Sequence, residues 1–485
     1  MENEILNLKP QQVWSHFYEM TQIPRPTGQM EKITEYVVNF GKSLGLEVDK
    51  DAVGNVVIRK PASAGYEGKP AVILQAHLDM VPQKNSDTNH DFTKDPLQLR
   101  IDGDKVKATS TTLGADNGMG AAMMLAVLED KSLKHPALEA LFTIDEEVGM
   151  NGAFGLQKGF LHGTRMLNLD TEQEGEICVG CAGGADVNVT FQYQDDTEIE
   201  EGDVAFKLSL KGLKGGHSGM DIILGRGNAN KLMNRFLKEA VSCYEARLSS
   251  IQGGSLRNAI PRESFAVVTI PDQLTDEFIG LVQEYEDLYN TEYKGIENHI
   301  TFTAEKVDMP KTLIPEEVQD DLINAVEGCP NGVMSMLAEF PGTVESSLNL
   351  ALVESSEGKI EIKLLVRGSS ESRKFYVCSQ VESVFMLAGA KVEIVNPYPG
   401  WQPNASSELL NLMEKIYVEK YDKKPTVMVI HAGLECGIIQ SQVNSDLDIV
   451  SFGPSISGAH SPDEAVEIAS VETVYDYLLT ILERL

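Results

Sequence analysis

One stretch of the sequence, Ala71–Val81 (AVILQAHLDMV), limits the folds open to this chain more than any other. It has the length and apolar character of a buried strand, ends in His77, Leu78 and Asp79, and is stopped by Pro82. Because side chains two positions apart share a face of a strand, His77 and Asp79 point the same way. Taken alone, the pair is most simply explained as a core histidine beside a solvated aspartate. The alternative is a metal ligand with its orienting carboxylate.

Two further apolar segments repeat this arrangement. Ala137–Ile144 runs directly towards Glu146 and Glu147, and Arg165–Leu169 is followed by Asp170. Helical or loop segments separate the three strands, as expected for a parallel sheet whose site lies at the carboxyl ends of the strands. We therefore predict an α/β fold with a mixed, mainly parallel sheet and helices on both faces.

The length of 485 residues exceeds what one hydrophobic core usually supports. The pattern of elements changes near residue 186 and changes back near residue 397. We predict a catalytic domain formed by residues 1–185 and 398–485, interrupted by an α+β insert at 186–397 that serves as a lid or dimerisation domain. Two successive β/α rounds, the second beginning at His299–Val307, predict that the insert has two similar halves.

Composition excludes several classes of partner. The 73 acidic against 41 basic residues give a net charge of −32, which disfavours binding to nucleic acid or to an anionic membrane. Met1–Pro10 lacks the features of a signal peptide, and no apolar run is long enough to span a membrane, so we expect a cytoplasmic protein. Cys178 and Cys181 form an isolated C-x-x-C pair, which we interpret as reduced thiols.

A set of histidines and carboxylates at strand ends and tight loops provides a candidate site. Its members are His77, Asp79, Asp116, Glu146, Glu147, Asp170 and His460. Two divalent ions sharing a site need two histidines, two or three carboxylates and one carboxylate that bridges, and this set supplies them with one acid to spare. Because adjacent residues leave a strand in different directions, one of Glu146 and Glu147 can bind metal while the other accepts a proton from water.

Six motifs in this order resemble those of the M20 co-catalytic zinc metallopeptidases. They are HLDMV (77–81), GADNGMG (114–120), DEEVGM (145–150), NLDTE (168–172), GGHSG (215–219) and GAHSPDE (458–464). The resemblance covers essentially the whole chain. Within the family it is strongest to the cytosolic dipeptidases of low specificity, which are also called aminoacyl-histidine dipeptidases.

The resemblance implies a ligand set for two Zn²⁺ ions per subunit, with Co²⁺ or Mn²⁺ able to substitute. His77 and Asp170 would bind one ion, and Glu147 and His460 the other. Asp116 would bridge both, and the peptide bond that follows it would be cis.

The remaining catalytic roles are implied in the same way. Asp79 would orient His77, Glu146 would be the general base, and His217 from the insert would stabilise the oxyanion. Whether His217 acts within its own chain or in a partner subunit stays open.

The resemblance also implies a set of substrate contacts. Asn258 and Arg367 match insert residues that could grip a substrate carboxylate or oxyanion. The motif HAGLECG, with His431, Gly433 and Glu435, matches a loop that lines the substrate pocket.

The expected function is metal-dependent hydrolysis of dipeptides with broad specificity, including Xaa-His dipeptides such as β-alanyl-histidine, by a protein that forms homodimers. An N-acyl amino acid deacylase or a tripeptidase on the same scaffold is the alternative among enzymes. A peptide-binding homologue without catalysis is the alternative from another class.

Overall fold

The computed structural model describes residues 4–485, which form two compact units. The first unit contains the described residues up to Gly180 together with Trp401–Val429 and Leu434–Leu485. The second contains Cys181–Gly400 and the short segment Ile430–Gly433. The sequence placed the corresponding borders after residues 185 and 397, and the roles assigned to the two parts stay predictions.

The strands in the described part of the chain are numbered in chain order: β1 Glu47–Lys50, β2 Val56–Lys60, β3 Val72–His77, β4 Leu99–Asp102, β5 Lys105–Ala108, β6 Leu138–Thr143, β7 Arg165–Asn168, β8 Glu176–Cys181, β9 Gly183–Gln192, β10 Asp203–Lys211, β11 Gly216–His217, β12 Arg247–Gly253, β13 Ala259–Ile260, β14 Ser264–Pro271, β15 Thr301–Val307, β16 Gly332–Met336, β17 Val344–Ser356, β18 Lys359–Gly368, β19 Lys391–Tyr398, β20 Thr426–Ile430, β21 Asp448–Ser451, β22 Ile456–Ser457 and β23 Ala465–Glu467.

The α-helices follow the same numbering: α1 Gln11–Thr21, α2 Glu31–Ser43, α3 Ala115–Glu129, α4 Asn151–Gly155, α5 Ala229–Tyr244, α6 Thr275–Glu292, α7 Glu316–Gly328, α8 Glu371–Leu387, α9 Glu408–Tyr421, α10 Glu435–Val443 and α11 Ile468–Arg484. None of the helices within residues 4–485 combines the length and the apolar character needed to cross a membrane.

The main sheet of the first unit is mixed, with strand order β1-β2-β6-β3-β7-β21-β8-β20. Its centre is parallel, because β3 pairs in parallel with both β6 and β7, and β21 pairs in parallel with β7. The outer pairs β1-β2, β2-β6 and β21-β8 are antiparallel. The carboxyl ends of β3, β6 and β7 therefore meet at one edge, as the sequence predicted.

The central strands are buried along their whole length, which explains why they are continuous apolar runs rather than alternating ones. Strand β3 ends at His77, earlier than the predicted Ala71–Val81. After it the chain leaves the sheet, and Met80 forms an isolated bridge with Pro26. The residues that follow β3 are therefore placed by a loop near the amino terminus instead of by the sheet.

The sheet of the second unit contains two halves with the same topology. The first half is β10-α5-β12-β14-α6-β15 in chain order, and the second combines β9 with α7-β17-β18-α8-β19. Numbered within each half, the strand order in the sheet is 4-1-3-2 for both. The halves join where β12 pairs with β17. The predicted fold class, including an α+β insert of two similar halves, is confirmed.

The predicted succession of the halves is wrong in one respect. The strand expected to begin the second half, β15, closes the first half by pairing with β10. The first strand of the second half is β9, which pairs with β18 and β19. The first half is thus inserted after β9, and local periodicity could not reveal this because it identifies strands without identifying their partners.

Aromatic rings form the centre of the core in the second unit. Phe278 on α6 is completely buried, and its ring centroid lies 5.7 Å from those of Phe206 and Phe236 and 6.3 Å from that of Tyr244. These residues come from β10, α5 and α6. The aromatic cluster therefore holds both helices of the first half against their sheet.

We expect Phe278→Ala to destabilise the protein by about 3 to 5 kcal/mol, because it leaves a cavity among these rings. Ile279→Ala, at the adjacent residue of α6, is the matched control, since Ile279 is 45% exposed. It should change stability by less than about 0.5 kcal/mol. Calorimetric melting curves of the two variants measure the difference, and equal losses would contradict this account of the core.

Candidate metal centre

His77 lies at the end of β3 and is almost completely buried. Its Nε2 atom is 3.1 Å from Oδ1 of Asp116 and 3.5 Å from Oδ1 of Asp170. Its other ring nitrogen, Nδ1, faces Asp79, at 3.2 Å from the main-chain oxygen and 3.4 Å from Oδ1. One side of the imidazole is therefore oriented by Asp79 while the other faces two carboxylates.

Asp116 faces two histidines at once. Oδ1 is directed at His77, and Oδ2 is 3.1 Å from Nε2 of His460. The peptide bond between Asp116 and Asn117 is cis, as the resemblance implied. A carboxylate whose two oxygens point at different imidazoles has the arrangement that a bridging ligand requires.

Glu147 and His460 complete the second side of the cluster, with Glu147 Oε2 3.0 Å from His460 Nε2. Ligand atoms of the predicted residues form two overlapping groups in which all atoms lie within 4.8 Å of one another. One group is His77, Asp116 and Asp170, and the other is Asp116, Glu147 and His460. The structure thus brings all five predicted ligands together, with Asp116 common to both groups.

The charges and unsatisfied atoms of the cluster fit divalent cations. Glu147 Oε1 and Asp170 Oδ1 are buried and have no hydrogen-bond partner within residues 4–485. Hydrogen bonds that the His460 imidazole donates to Asp116 and Glu147 raise its pKa to about 11. Burial lowers the pKa of His77, yet Asp170 and Asp116 raise it well above its ordinary value. The carboxylates therefore favour positive charge at the centre, and the donor set of imidazoles and carboxylates suits zinc and similar ions.

Asp79 holds the main chain of Glu146 and Glu147 as well as orienting His77. Its Oδ1 accepts a hydrogen bond from the N–H of Glu146 at 3.0 Å, and Oδ2 accepts from the N–H of Glu147 at 3.2 Å and from the Thr27 hydroxyl at 2.9 Å. Burial raises the pKa of Asp79, but the interactions with His77 and these donors hold it below its ordinary value. One carboxylate therefore positions the histidine of β3 and the Glu-Glu pair that follows β6.

Glu146 belongs to a third close group, with His77 and Glu147. Burial, and then the charges of Asp170, Glu435 and Glu147, raise its pKa well above the ordinary value. A carboxylate whose affinity for a proton is increased in this way is suited to general-base chemistry.

The second unit holds a separate cluster around His217, on the short strand β11. Its Nδ1 accepts hydrogen bonds from the N–H groups of Gly219 (3.2 Å) and Met220 (3.0 Å). Burial, and then the charge of Arg367, lower the pKa of this imidazole. Because Nδ1 is an acceptor in the neutral ring, Nε2 carries the hydrogen and is a donor.

Arg367, on β18, is 5% exposed. In the described part of the chain its hydrogen bonds go to neutral groups, Tyr398 Oη at 3.1 Å and Ser218 Oγ at 3.4 Å. Its Nη2 lies 3.5 Å from His217 Nε2. Two N–H donors therefore face the same space, which favours an oxygen atom that bears negative charge.

The other predicted substrate residues of the second unit lie on loops. His431 is buried, and its Nε2 is 2.7 Å from Ser347 Oγ. Burial, followed by the charge of Arg367, lowers the pKa of His431 to about 3, so this imidazole is neutral. Asn258 is exposed, and its main-chain oxygen accepts a hydrogen bond from the N–H of Ser218. Gly433 is half-buried.

Glu435, the fifth predicted substrate residue, belongs to the first unit, where it begins α10 and is completely buried. Its Oε2 accepts hydrogen bonds from Gln75 Nε2 (2.8 Å) and Thr143 Oγ1 (2.6 Å). Burial raises its pKa to about 8. These partners lie on β3 and β6, and the predicted contact of Glu435 with substrate stays a prediction.

Three residues with contacts at the cluster were missed by sequence reasoning: Thr27, Arg25 and Glu464. Their side chains bind main-chain atoms or Asp79, and such contacts leave no periodic pattern in a sequence. The available signal was position alone, because Glu464 follows His460 in the same motif and Arg25 stands between two prolines.

Two known proteins, one found by sequence and one by structure, match this chain over its whole length. The chain is 45% identical over 483 residues to the cytosol non-specific dipeptidase of Escherichia coli strain K12, covering 100% of this chain and 99% of that protein. The crystal structure of aminoacylhistidine dipeptidase from Vibrio alginolyticus matches with a TM-score of 0.94 and 46% identity, covering 100% of this chain and 98% of that one.

A more distant structure shares the fold. Aminopeptidase PepT from Bacillus cereus matches with a TM-score of 0.57 and 15% identity, covering 98% of both chains. The sequence profile described as peptidase family M20/M25/M40 matches residues 73–484. This match covers most of the chain and includes all the residues of the metal cluster, and with the full-length relatives it shows that the chain belongs to the M20 peptidase family.

Proposed function

We propose that this protein is a dinuclear zinc dipeptidase of broad specificity, which hydrolyses dipeptides including Xaa-His substrates such as β-alanyl-histidine. The observation that carries the proposal is the pair of overlapping ligand groups that share Asp116. The names of the two relatives at 45% and 46% identity support dipeptides as substrates. We also propose that the protein acts in the cytoplasm.

Each ion has its own ligands in this proposal. His77 and Asp170 would hold one, Glu147 and His460 would hold the other, and Asp116, which belongs to both groups, would be shared between them. Co²⁺ or Mn²⁺ can replace zinc, because imidazole and carboxylate ligands accept these ions as well. When bound, the ions would lower the pKa of a water molecule and polarise the carbonyl group of the peptide bond.

Glu146 is the group that moves the proton. Its carboxylate accepts a proton from the attacking water and later delivers it to the leaving amine. Asp79 holds the Glu146 main chain through the N–H group, so the carboxylate is positioned by the same residue that orients His77.

His217 and Arg367 are proposed to bind oxygen atoms of the substrate. The Nε2–H of His217 suits the oxyanion, and the guanidinium of Arg367 suits the oxyanion or the terminal carboxylate. Asn258, His431, Gly433 and Glu435 remain proposed substrate contacts. A pocket that recognises both termini of a short peptide restricts hydrolysis to dipeptides, since a longer chain leaves one terminus unmatched.

Other functions are less well supported. The metal cluster alone does not separate a dipeptidase from an N-acyl amino acid deacylase or a tripeptidase. A non-catalytic peptide-binding homologue would be expected to lack a ligand or the base, whereas Glu146 and all five candidate ligands lie together here.

We expect purified protein to bind two zinc ions and to hydrolyse dipeptides faster than tripeptides and N-acyl amino acids. Metal analysis and a panel of the three substrate classes provide the measurement. A chelator should abolish hydrolysis, and zinc or cobalt should restore it. Activity that is indifferent to chelation would refute the metal assignment, and preference for N-acyl amino acids would favour the deacylase.

The adjacent glutamates provide a matched test of roles. Glu146→Gln should lower kcat by about 10²- to 10⁴-fold while two ions stay bound, because only proton transfer is lost. Glu147→Gln should weaken the binding of one ion, and Asp116→Ala the binding of both. Steady-state kinetics with metal analysis distinguish these outcomes, and near-normal kcat in Glu146→Gln would contradict its assignment as base.

We propose a homodimer, so light scattering should give twice the mass of one chain. Mixing His217→Ala chains with Glu146→Gln chains then locates the action of His217. Recovered dipeptidase activity would require His217 to act in the partner subunit. A monomeric mass at the concentrations of the assay would refute the dimer.

A further inference from the structure

A buried carboxylate, that of Glu464, binds the main chain at Asp116. Glu464 is 2% exposed. Its Oε2 accepts hydrogen bonds from the N–H groups of Leu113 (2.7 Å) and Gly114 (3.0 Å), and Oε1 accepts from the N–H of Ala115 (2.7 Å). The N–H of Asp116 is a fourth donor, 3.4 Å from Oε1. Four consecutive N–H groups thus converge on one side chain.

A buried guanidinium binds the carbonyl groups of the same region. Arg25 is 1% exposed. Its Nη1 donates to the main-chain oxygens of Leu78 (2.9 Å) and Asp79 (3.3 Å), and Nη2 donates to that of Gly114. Arg25 therefore joins the segment that follows His77 to the loop that precedes Asp116.

The glycines of the GADNGMG motif leave the space that this guanidinium occupies. A Cβ atom at Gly114 would lie 2.6 Å from Nη2 of Arg25, and one at Gly118 would lie 2.4 Å from it. Gly114 also has a φ of 66°, which side chains disfavour. The two glycines thus allow Arg25 to approach the loop, a role that the sequence alone did not reveal.

Arg25 and Glu464 together link the segments of His77, Asp116 and His460. Arg25 contacts the residues that follow His77, and both Arg25 and Glu464 contact the loop of Asp116. Glu464 lies four residues after His460. Their hydrogen-bond partners here are main-chain atoms of residues 78–79 and of residues 113–116, where a loop leads into α3. The two side chains thus fix backbone positions and do not occupy the ligand side chains.

We propose that Glu464 and Arg25 are positioning residues that hold His77, Asp116 and His460 at the spacing needed to bind two ions. The inference rests on the proposed dinuclear function and adds two residues that determine metal affinity without touching metal. Removal of such supporting contacts typically lowers metal affinity or activity by about 10- to 100-fold.

The test uses Glu464→Gln, which keeps the size of the side chain but replaces one acceptor with an amide that opposes the N–H groups. Arg25→Lys is the second variant, because a single ammonium group cannot reach both loops as the guanidinium does. Glu467→Gln is the matched control on the same segment. The Glu467 side chain is 45% exposed and pairs only loosely, at 3.6 Å, with Lys105.

Zinc affinity is measured by competition with a chelating dye, with melting curves of the metal-free protein and with kcat and KM measured separately. We expect Glu464→Gln and Arg25→Lys to bind zinc about 10- to 100-fold more weakly and to lower kcat with KM nearly unchanged. Glu467→Gln should match the unmodified protein.

Wild-type zinc affinity in both folded variants would overturn the inference. So would a lower melting temperature of the metal-free variants with unchanged zinc affinity, because it would mark a purely structural role. If the unmodified protein itself bound no zinc, the proposed function would fail first and this inference with it, so the two failures are distinguishable.

Discussion

The site depends on a single carboxylate that must face two imidazoles. Asp116 places one oxygen against His77 and the other against His460, which are far from it in sequence on either side. Side-chain rotation alone cannot satisfy two fixed partners, so the main chain of Asp116 also has to be held. The N–H groups bound by Glu464 and the carbonyl bound by Arg25 provide that restraint. Two buried side chains thus bind the main chain next to the carboxylate that faces both imidazoles.

This arrangement concentrates negative charge in a buried place. Burial, together with the charge of Asp116, raises the pKa values of Asp170 and Glu147. Buried charges are costly unless they are paired or bind metal. Glu147 Oε1 and Asp170 Oδ1 are buried without a hydrogen bond within residues 4–485, so protein groups alone do not satisfy this cluster. Bound divalent cations would supply the missing interactions.

Much of the site could be predicted because a parallel sheet converts local patterns into proximity. Each apolar run ending in a polar residue marks a strand end, and the parallel pairing of β3, β6 and β7 brings His77, Glu147 and Asp170 to one edge. Arg25 and Glu464 could not be found in this way, because their partners are main-chain atoms that any sequence possesses. Glu435 shows the same limit: its motif gave no sign that its carboxylate binds Gln75 and Thr143, and its contact with substrate stays a prediction.

In the second unit, the topology of the sheet brings together polar residues that are far apart in the sequence. His217 lies on β11, which forms a separate two-stranded sheet with β13, and Asn258 lies on the loop before β13. Both follow strands of the first half in the chain, while Arg367 and Ser347 lie on strands of the second half. The link between them is at the junction: Asn349 on β17 donates hydrogen bonds to the main-chain oxygens on either side of Asn258. Because β12 and β17 also pair there, the two halves are joined near the segments that carry His217 and Arg367. Joining two equivalent halves into one sheet thus creates, at the seam, a donor cluster that neither half contains alone.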